Sequence, residues 1–333
     1  MLPLDMVSLA PLRGSSFGLE LHGMTIATLR SDPTAQATVR SAFHDSQGLL
    51  VMRFNPENFT GADIVAVSGL LGRVEVEPAD GTYECCLPDA PEVHEFAKVP
   101  SARVFEARHR ERGAGARAAC TAESRYKPFD PKTGEPAWHT DQSFRSPPPL
   151  ASVMYCKSTP ACGADTWFSS TTLAFAALPV EKQEQVRGMH AVHDRQEAAR
   201  MFSEWVGEAS SFDSSKASAP ATHPVVRRLE GVEALYLAPH HMSHIVEVGR
   251  LADETARKRL IFELSAFATQ RKFGYAHRWA PGDLVVWDNR RTMHAATELA
   301  DGPGGSEDRV MWRVTVADGE GDAAAEQEER SRL

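Results

Sequence analysis

Two residues in Trp138-His139-Thr140-Asp141-Gln142-Ser143-Phe144 have the types and the spacing to bind a metal. In an extended strand side chains alternate faces, so His139 and Asp141 are expected to point the same way, an imidazole nitrogen beside a carboxylate oxygen. A metal site needs a further ligand. The candidate is His294, at the end of Trp287-Asp288-Asn289-Arg290-Arg291-Thr292-Met293-His294. Two His and one carboxylate are the facial donor set of non-haem Fe(II) centres, which leave positions open for other ligands. Taken alone, His-x-Asp is weak evidence. A strand His is more often a hydrogen-bonded core or rim residue, and the chain has 13 His from which a third ligand could be drawn.

The elements that must position these residues begin with a strand–helix–strand run over 16–54. Phe17 to Thr25 alternates apolar and polar positions. Pro33 to Ser46 has Ala and Val at helical spacing behind Asp32 as a cap, and Gly48 to Phe54 is a short apolar run. Thr60 to Gly72 predicts a helix capped by Thr60 and stopped by Gly72. Val74, Glu75, Val76 and Glu77 then alternate as on a half-buried strand. Between Arg108 and Pro136 the chain is rich in Gly, Ala, Arg, Lys and Pro, with little periodicity. A long loop directly before a ligand pair reads as a lid, so a lid segment is expected near 75–136. The small polar run within 207–222 is a second.

The second half supplies short strands at Ala151–Lys157, Gly163–Phe168, Pro224–Arg227, Ala234–Leu237, Leu284–Trp287 and Val310–Val316. Thr171 to Gly188 has helical spacing broken at Pro179, and Asp253 to Gln270 is the strongest amphipathic helix. Residues 318–333 are Gly, Ala, Glu and Arg, a disordered tail. No boundary cuts off an independent unit, so 1–317 is read as one domain. The fold class expected is mainly β with flanking helices. A double-stranded β-helix, or jelly roll, is the closed arrangement that would bring early and late strands to one metal.

Composition narrows the partners. With 42% hydrophobic and 24% charged residues the chain can bury a core. A net charge of −9 argues against nucleic acid, and the densest basic run, Arg108-His109-Arg110-Glu111-Arg112, reads as a solvated loop. No stretch approaches the ~20 apolar residues of a membrane span. The five Cys are odd in number and form no Cys-x-x-Cys, which suits reduced thiols rather than a disulfide framework or a thiolate zinc site. Met1 to Ser15 has too short an apolar run for a signal peptide, so a cytoplasmic protein is expected. Oligomeric state is not written in the sequence, which leaves homo-oligomerisation open.

Four motifs in order, Trp138 to Phe144, Gly163-Ala-Asp-Thr166, Trp287-Asp-Asn-Arg290 with His294, and Arg309-Val-Met-Trp-Arg313, together resemble the taurine dioxygenase-like (TauD/TfdA) family of Fe(II)/2-oxoglutarate-dependent oxygenases. Gly48-Leu-Leu-Val-Met-Arg53 and His223-Pro-Val-Val-Arg227 are weaker echoes, and the whole likeness runs over about 17–317. By this resemblance His139, Asp141 and His294 are the catalytic iron ligands. It implies that Thr166 hydrogen-bonds the 2-oxoglutarate carboxylate, that Arg309 clamps its distal carboxylate, and that Arg313 is shared between cosubstrate and substrate. The residue types agree: a guanidinium fork grips a carboxylate bidentately, which a Lys does not reproduce. The span from His294 to Arg309 is longer than is usual, with Asp301-Gly-Pro-Gly-Gly-Ser-Glu307 as an insertion, and it leaves open which Arg is the main clamp.

The reaction so implied couples oxidative decarboxylation of 2-oxoglutarate by O2 to oxidation, usually hydroxylation, of a C–H bond in a small molecule. Asp141 weighs against halogenation, because related halogenases have a small residue at that position. Relatives that use sulfonates or carboxylates place a His near Val74 to Pro78. Here Glu75 and Glu77 stand there, and Glu135 lies just before the ligand pair. An amine- or amino-acid-like substrate is therefore expected, paired with Glu77 or Glu135 and with a carboxylate reaching Arg313. A non-catalytic sensor of iron or 2-oxoglutarate is the alternative. A zinc hydrolase fits less well, since it gives Thr166 and Arg309 nothing to do.

Overall fold

The structure, a computed structural model, describes residues 7–76, 86–97, 126–133, 135–159, 165–194, 196, 219–229, 231–246, 254–297 and 309–317. The chain order of strands is β1 (Ser8–Pro11), β2 (Leu19–His22), β3 (Leu49–Arg53), β4 (Cys86–Leu87), β5 (Ala90–Ala97), β6 (Pro149–Ser158), β7 (Thr166–Ser170), β8 (His190–His193), β9 (Ala221–Pro224), β10 (Val226–Leu229), β11 (Val232–Leu235), β12 (Met242–Ile245), β13 (Gly274–His277), β14 (Asp283–Asp288), β15 (Thr292–Ala296) and β16 (Val310–Ala317). Helices α1 (Ile26–Ser31), α2 (Pro33–Asp45) and α3 (Gly61–Gly69) lie in the first part, and α4 (Thr171–Ala176), α5 (Val180–Val186) and α6 (Glu254–Ala268) in the second.

Eight strands form one sheet in the order β1-β2-β3-β14-β6-β16-β5-β4, and three form a second in the order β13-β7-β15. Every pairing is antiparallel except β2 with β3. Alternation sorts the side chains of the large sheet. Leu50, Met52, Val153, Tyr155, Leu284, Val286, Trp312 and Val314 pack outward against the helices α1 to α3. Their neighbours Leu49, Val51, Cys156, Val285, Trp287 and Met311 pack inward, around Phe168 of the small sheet. The other face of that small sheet, through Trp167, Met293 and Ala295, is covered by Leu260, Ile261 and Leu264 of α6. Two sheets face to face with helices outside are the expected jelly roll.

Local chemistry explains the helix ends. Asp32 caps α2 by accepting the Thr34 N–H, and Pro33 takes the first position, where no N–H is needed. At α3 the Asp63 carboxylate accepts both the backbone N–H and the hydroxyl of Thr60, and it is also held by Arg30. The helix stops at Gly69, earlier than the sequence suggests, because the chain must pass flush against β16. A Cβ on Gly72 would lie 2.9 Å from Val316 Cγ1. Beyond it the strand expected at 74–77 is reduced to one bridge, Val74 to Val316.

Part of the segment expected as a first lid is sheet. Residues 86–97 form the hairpin β4–β5, and β5 pairs with β16, setting His94 opposite Arg313. Little apolar character marks this strand in the sequence, because only Ala90 and Val93 enter the core and polar His94 is buried beside them. The parts of the expected lids at 77–85, 98–125 and 207–218, residues 160–164 and the tail 318–333 lie outside the described residues, and β9 already begins at Ala221. Among the described residues no helix is long and apolar enough to cross a membrane.

Candidate metal centre

His139 and His294 meet as neighbours across a strand edge. Each donates its backbone N–H to the other's carbonyl at 2.9 Å, the reciprocal pairing of an antiparallel ladder. Directly opposed residues point to the same face, so their rings stand side by side with centroids 4.3 Å apart. His294 belongs to β15, and His139 adds a single rung to that edge. The strand expected over 138–144 is thus corrected: after His139 the chain turns at 141–144, with Gln142 in the left-handed region at φ 47°. It is this turn, not strand alternation, that brings Asp141 back to the two imidazoles. Its Oδ1 is 3.6 Å from His139 Nε2 and 3.7 Å from His294 Nε2. One ligand atom from each of the three residues lies within 4.8 Å of the others.

Protonation suits a metal. His139 Nδ1 is 2.8 Å from the Ala137 carbonyl and donates to it, which orients the ring with Nε2 toward Asp141. Burial pushes the His294 imidazole down to about 3, with His139 and Arg313 adding to the effect against the pull of Asp141. Burial would raise the Asp141 carboxyl, but His294, Arg313 and His139 together hold it well below the usual carboxylate range. A neutral His294 beside an ionised Asp141 is the state in which both groups can bind a metal.

The expected cosubstrate residues lie around the same inner core. Arg309 and Arg313 share the inward parity of Met311, and the Arg313 guanidinium is 3.5 Å from Asp141 Oδ1 and stacked over Phe96. Arg309 stands near Cys156. Burial lowers its pKa, and among the described residues its buried Nε has no hydrogen-bond partner. A buried donor without a partner is costly, and a carboxylate would answer this one. Thr166, at the start of β7, accepts a hydrogen bond from Trp279 Nε1 at 2.9 Å, and its own hydroxyl hydrogen remains to donate. These features fit a dicarboxylate: a cationic fork at one end, a hydroxyl donor, and a metal at the other.

The profile described as "Taurine catabolism dioxygenase TauD, TfdA family" matches residues 8–315. The chain belongs to the TauD/TfdA family. Within it, alpha-ketoglutarate-dependent 2,4-dichlorophenoxyacetate dioxygenase of Cupriavidus pinatubonensis is 34% identical over 163 residues, which are 47% of this chain and 53% of the relative. An alpha-ketoglutarate-dependent sulfonate dioxygenase of Saccharomyces cerevisiae is 26% identical over 286 residues, covering 84% of this chain and 60% of the relative. The chain thus spans a little over half the length of the curated relatives it matches. A solved taurine dioxygenase from Burkholderia xenovorans shares the fold, with TM-score 0.66 at 24% identity over 94% of this chain and 90% of that one.

Of the substrate residues expected in this TauD/TfdA chain, Glu77 lies outside the described residues. Glu135 is half-buried in a turn, where its backbone accepts from Asp130 N–H and donates to Thr133 Oγ1. Glu75, beside Glu77 in the sequence, is buried and bound by Arg145, with the Nη2–Oε1 contact at 2.9 Å. Arg145 also donates to Gln142 Oε1 at 2.6 Å, so Glu75 braces the turn after the ligand pair.

Several contacting residues carry no signal in the sequence. Ser152 Oγ is 2.6 Å from Asp141 Oδ2, and Asn289 Nδ2 is 3.0 Å from Ser152 Oγ. The His241 ring is 6.0 Å from that of His139, and its Nδ1 is 3.0 Å from Ser143 Oγ. Burial, with smaller contributions from the neighbouring imidazoles, pushes His241 down to about 3. Only the single polar residue inside the apolar run Leu150 to Cys156 could have drawn attention to Ser152.

Proposed function

We propose that this chain is an Fe(II)/2-oxoglutarate-dependent dioxygenase that oxidises a C–H bond of a small molecule. The observation that carries the reading is the reciprocal His139–His294 backbone pair with Asp141 Oδ1 between the two Nε2 atoms, near a half-buried Arg309 whose Nε has no hydrogen-bond partner among the described residues. Its named relatives, which act on 2,4-dichlorophenoxyacetate and on sulfonates with alpha-ketoglutarate, support the same class. Fe(II) held by the three ligands would supply the coupling of 2-oxoglutarate decarboxylation by O2 to C–H oxidation.

The protein's own residues then orient and enclose. His139, Asp141 and His294 hold the metal from one side, and Thr166 and Arg309 hold the two carboxylates of 2-oxoglutarate. Arg313, beside Asp141, receives an acidic group of cosubstrate or substrate. Inward-facing Trp287, Phe168 and Met311 keep water from the interior. A sensor would keep the same ligands, and a zinc hydrolase leaves Thr166 and Arg309 without a role. A cytoplasmic setting agrees with the buried free thiol of Cys156.

For the substrate we infer an amine- or amino-acid-like molecule, its cationic group on Glu77 or Glu135 and its carboxylate on Arg313. Glu75 drops out as a partner because Arg145 already neutralises it. The test is succinate release in air from Fe(II), 2-oxoglutarate and a panel of amino acids, amines and acids lacking the amine. Stimulation by amine-bearing members, weakened at least about tenfold in kcat/KM by Glu135→Gln or Glu77→Gln, is expected. Stimulation only by the amine-free acids sinks the substrate reading, and no succinate from any of them favours the sensor.

A further inference from the structure

Asp141 offers two oxygens, and the structure distinguishes them. Oδ1 is the one near both ligand imidazoles, at 3.6 and 3.7 Å, and near the Arg313 guanidinium at 3.5 Å. Oδ2 is turned away and lies 2.6 Å from Ser152 Oγ. An ionised carboxylate only accepts, so the serine hydroxyl must be the donor. Its single hydrogen is then committed, and whatever else touches Ser152 Oγ must donate to it. Asn289 does so through Nδ2 at 3.0 Å, and this assigns the amide orientation, since Oδ1 of Asn289 would meet a lone pair.

We propose that Asn289 and Ser152 are positioning residues of the metal centre. In a one-way hydrogen-bond chain, Asn289 to Ser152 to Asp141, they occupy Oδ2 and restrict Asp141 to binding the metal through Oδ1 alone. The proposal rests on the reading of His139, Asp141 and His294 as metal ligands. Its chemical consequence is the number of open positions. A bidentate carboxylate would take one of the places that the facial donor set leaves for cosubstrates.

The fold holds both residues rigidly. Ser152 is on β6, a central strand, opposite Trp287 of β14 on one side and Thr315 of β16 on the other. Asn289 is fully buried in the turn between β14 and β15, and its backbone N–H donates to the Leu150 carbonyl. The turn that holds Asn289 also leads into His294, so one short segment delivers a ligand and the brace of another. Ala or Val at position 152 would fit the strand as well, but would leave Oδ2 buried without its donor.

Co(II) binding tests the chain, read by quenching of Trp fluorescence (Trp287 lies 4.9 Å from the His294 ring) and by the visible Co(II) spectrum, which changes with coordination number. Ser152→Ala is expected to raise the Co(II) Kd by about 10- to 100-fold and to alter the spectrum. Ser68→Ala, which removes an equally buried hydroxyl bonded to Ile64 in α3, controls for lost stability and should leave both readouts unchanged. Asn289→Ala should weaken binding in the wild-type chain yet add less than about twofold to Ser152→Ala, because its effect passes through that hydroxyl. A Ser152→Ala protein that binds Co(II) within about twofold of wild type, or with the Ser68→Ala spectrum, overturns the proposal, as does an Asn289→Ala effect that persists in full without Ser152. A wild-type chain that does not bind Co(II), or a His139→Ala variant that binds it equally well, would instead overturn the metal site beneath it.

Discussion

Arg309 is the residue whose state asks most clearly for a ligand: a half-buried guanidinium whose buried Nε has no hydrogen-bond partner among the described residues. Charge-assisted hydrogen bonds to a carboxylate are worth about 1.5–3 kcal/mol each. Arg309→Ala should therefore raise the 2-oxoglutarate concentration that half-saturates the Fe(II) protein by about 10- to 100-fold. Arg309→Lys should recover little, because a point charge does not reproduce the fork. Equilibrium titration measures both, and an unchanged half-saturation in Arg309→Ala would transfer the clamp to Arg313. At this scale residue type and motif made it legible that His139, Asp141 and His294 should meet, and their ligand atoms do lie within 4.8 Å of one another. The contacts of Ser152 were not legible, because they are defined by spatial neighbours. Ser152 meets partners 11 and 137 positions away, a relation no local spacing encodes.

The turn between β14 and β15 shows how an element delivers a ligand. Asp288 is fully buried and binds Arg290 through both carboxylate oxygens, with Arg291 Nε on Oδ2 at 3.0 Å. Burial would raise its pKa, but the two guanidiniums lower it below the usual value. A carboxyl with a depressed folded pKa contributes stability that is present above its unfolded value and lost as pH falls through the folded one. Asp288→Asn should cost about 3 kcal/mol near neutral pH. That difference should shrink as pH falls below about 4, the range of the unfolded carboxyl, and on through the lower pKa of folded Asp288. Urea denaturation of both proteins across pH 3–7 checks this, and a constant difference would argue against the charge as its origin. Element boundaries were only partly visible beforehand. The apolar runs of β3, β6, β14 and β16 were read close to their observed limits, since strands buried on both faces are apolar throughout. His139 was placed on a strand of its own, whereas it forms a single rung on β15. The hairpin β4–β5 was read as loop because its pairing to β16 depends on long-range contacts.

Across the whole molecule, a metal bound at this site would join segments that the fold already holds near one another. His139 forms a single rung on the edge of β15, Asp141 lies in the turn that follows it, and His294 is in the small sheet. A ligand that binds only the folded chain stabilises it by about 2.7 kcal/mol at a hundred times its Kd. Mn(II) or Co(II) should therefore raise the midpoint of thermal unfolding by several degrees, and a chelator should reverse it. The same addition to Asp141→Ala should leave the midpoint unmoved. Calorimetry decides, and an equal shift in both proteins would place the stabilising ion elsewhere. The jelly roll itself was legible from many short strands and few strong helices. The division of its core into an outer and an inner face became visible only through the pairing of alternate residues across β3, β14, β6 and β16.

The central claim is that His139, Asp141 and His294 hold Fe(II) in a site that also takes 2-oxoglutarate. Anaerobic absorption spectroscopy tests it most directly, because a weak visible charge-transfer band requires both to share one centre. The band should develop in the wild-type protein only when Fe(II) and 2-oxoglutarate are both present, and His139→Ala should lose it. A wild-type protein that shows no band, or a His139→Ala protein that keeps it undiminished, would contradict the account.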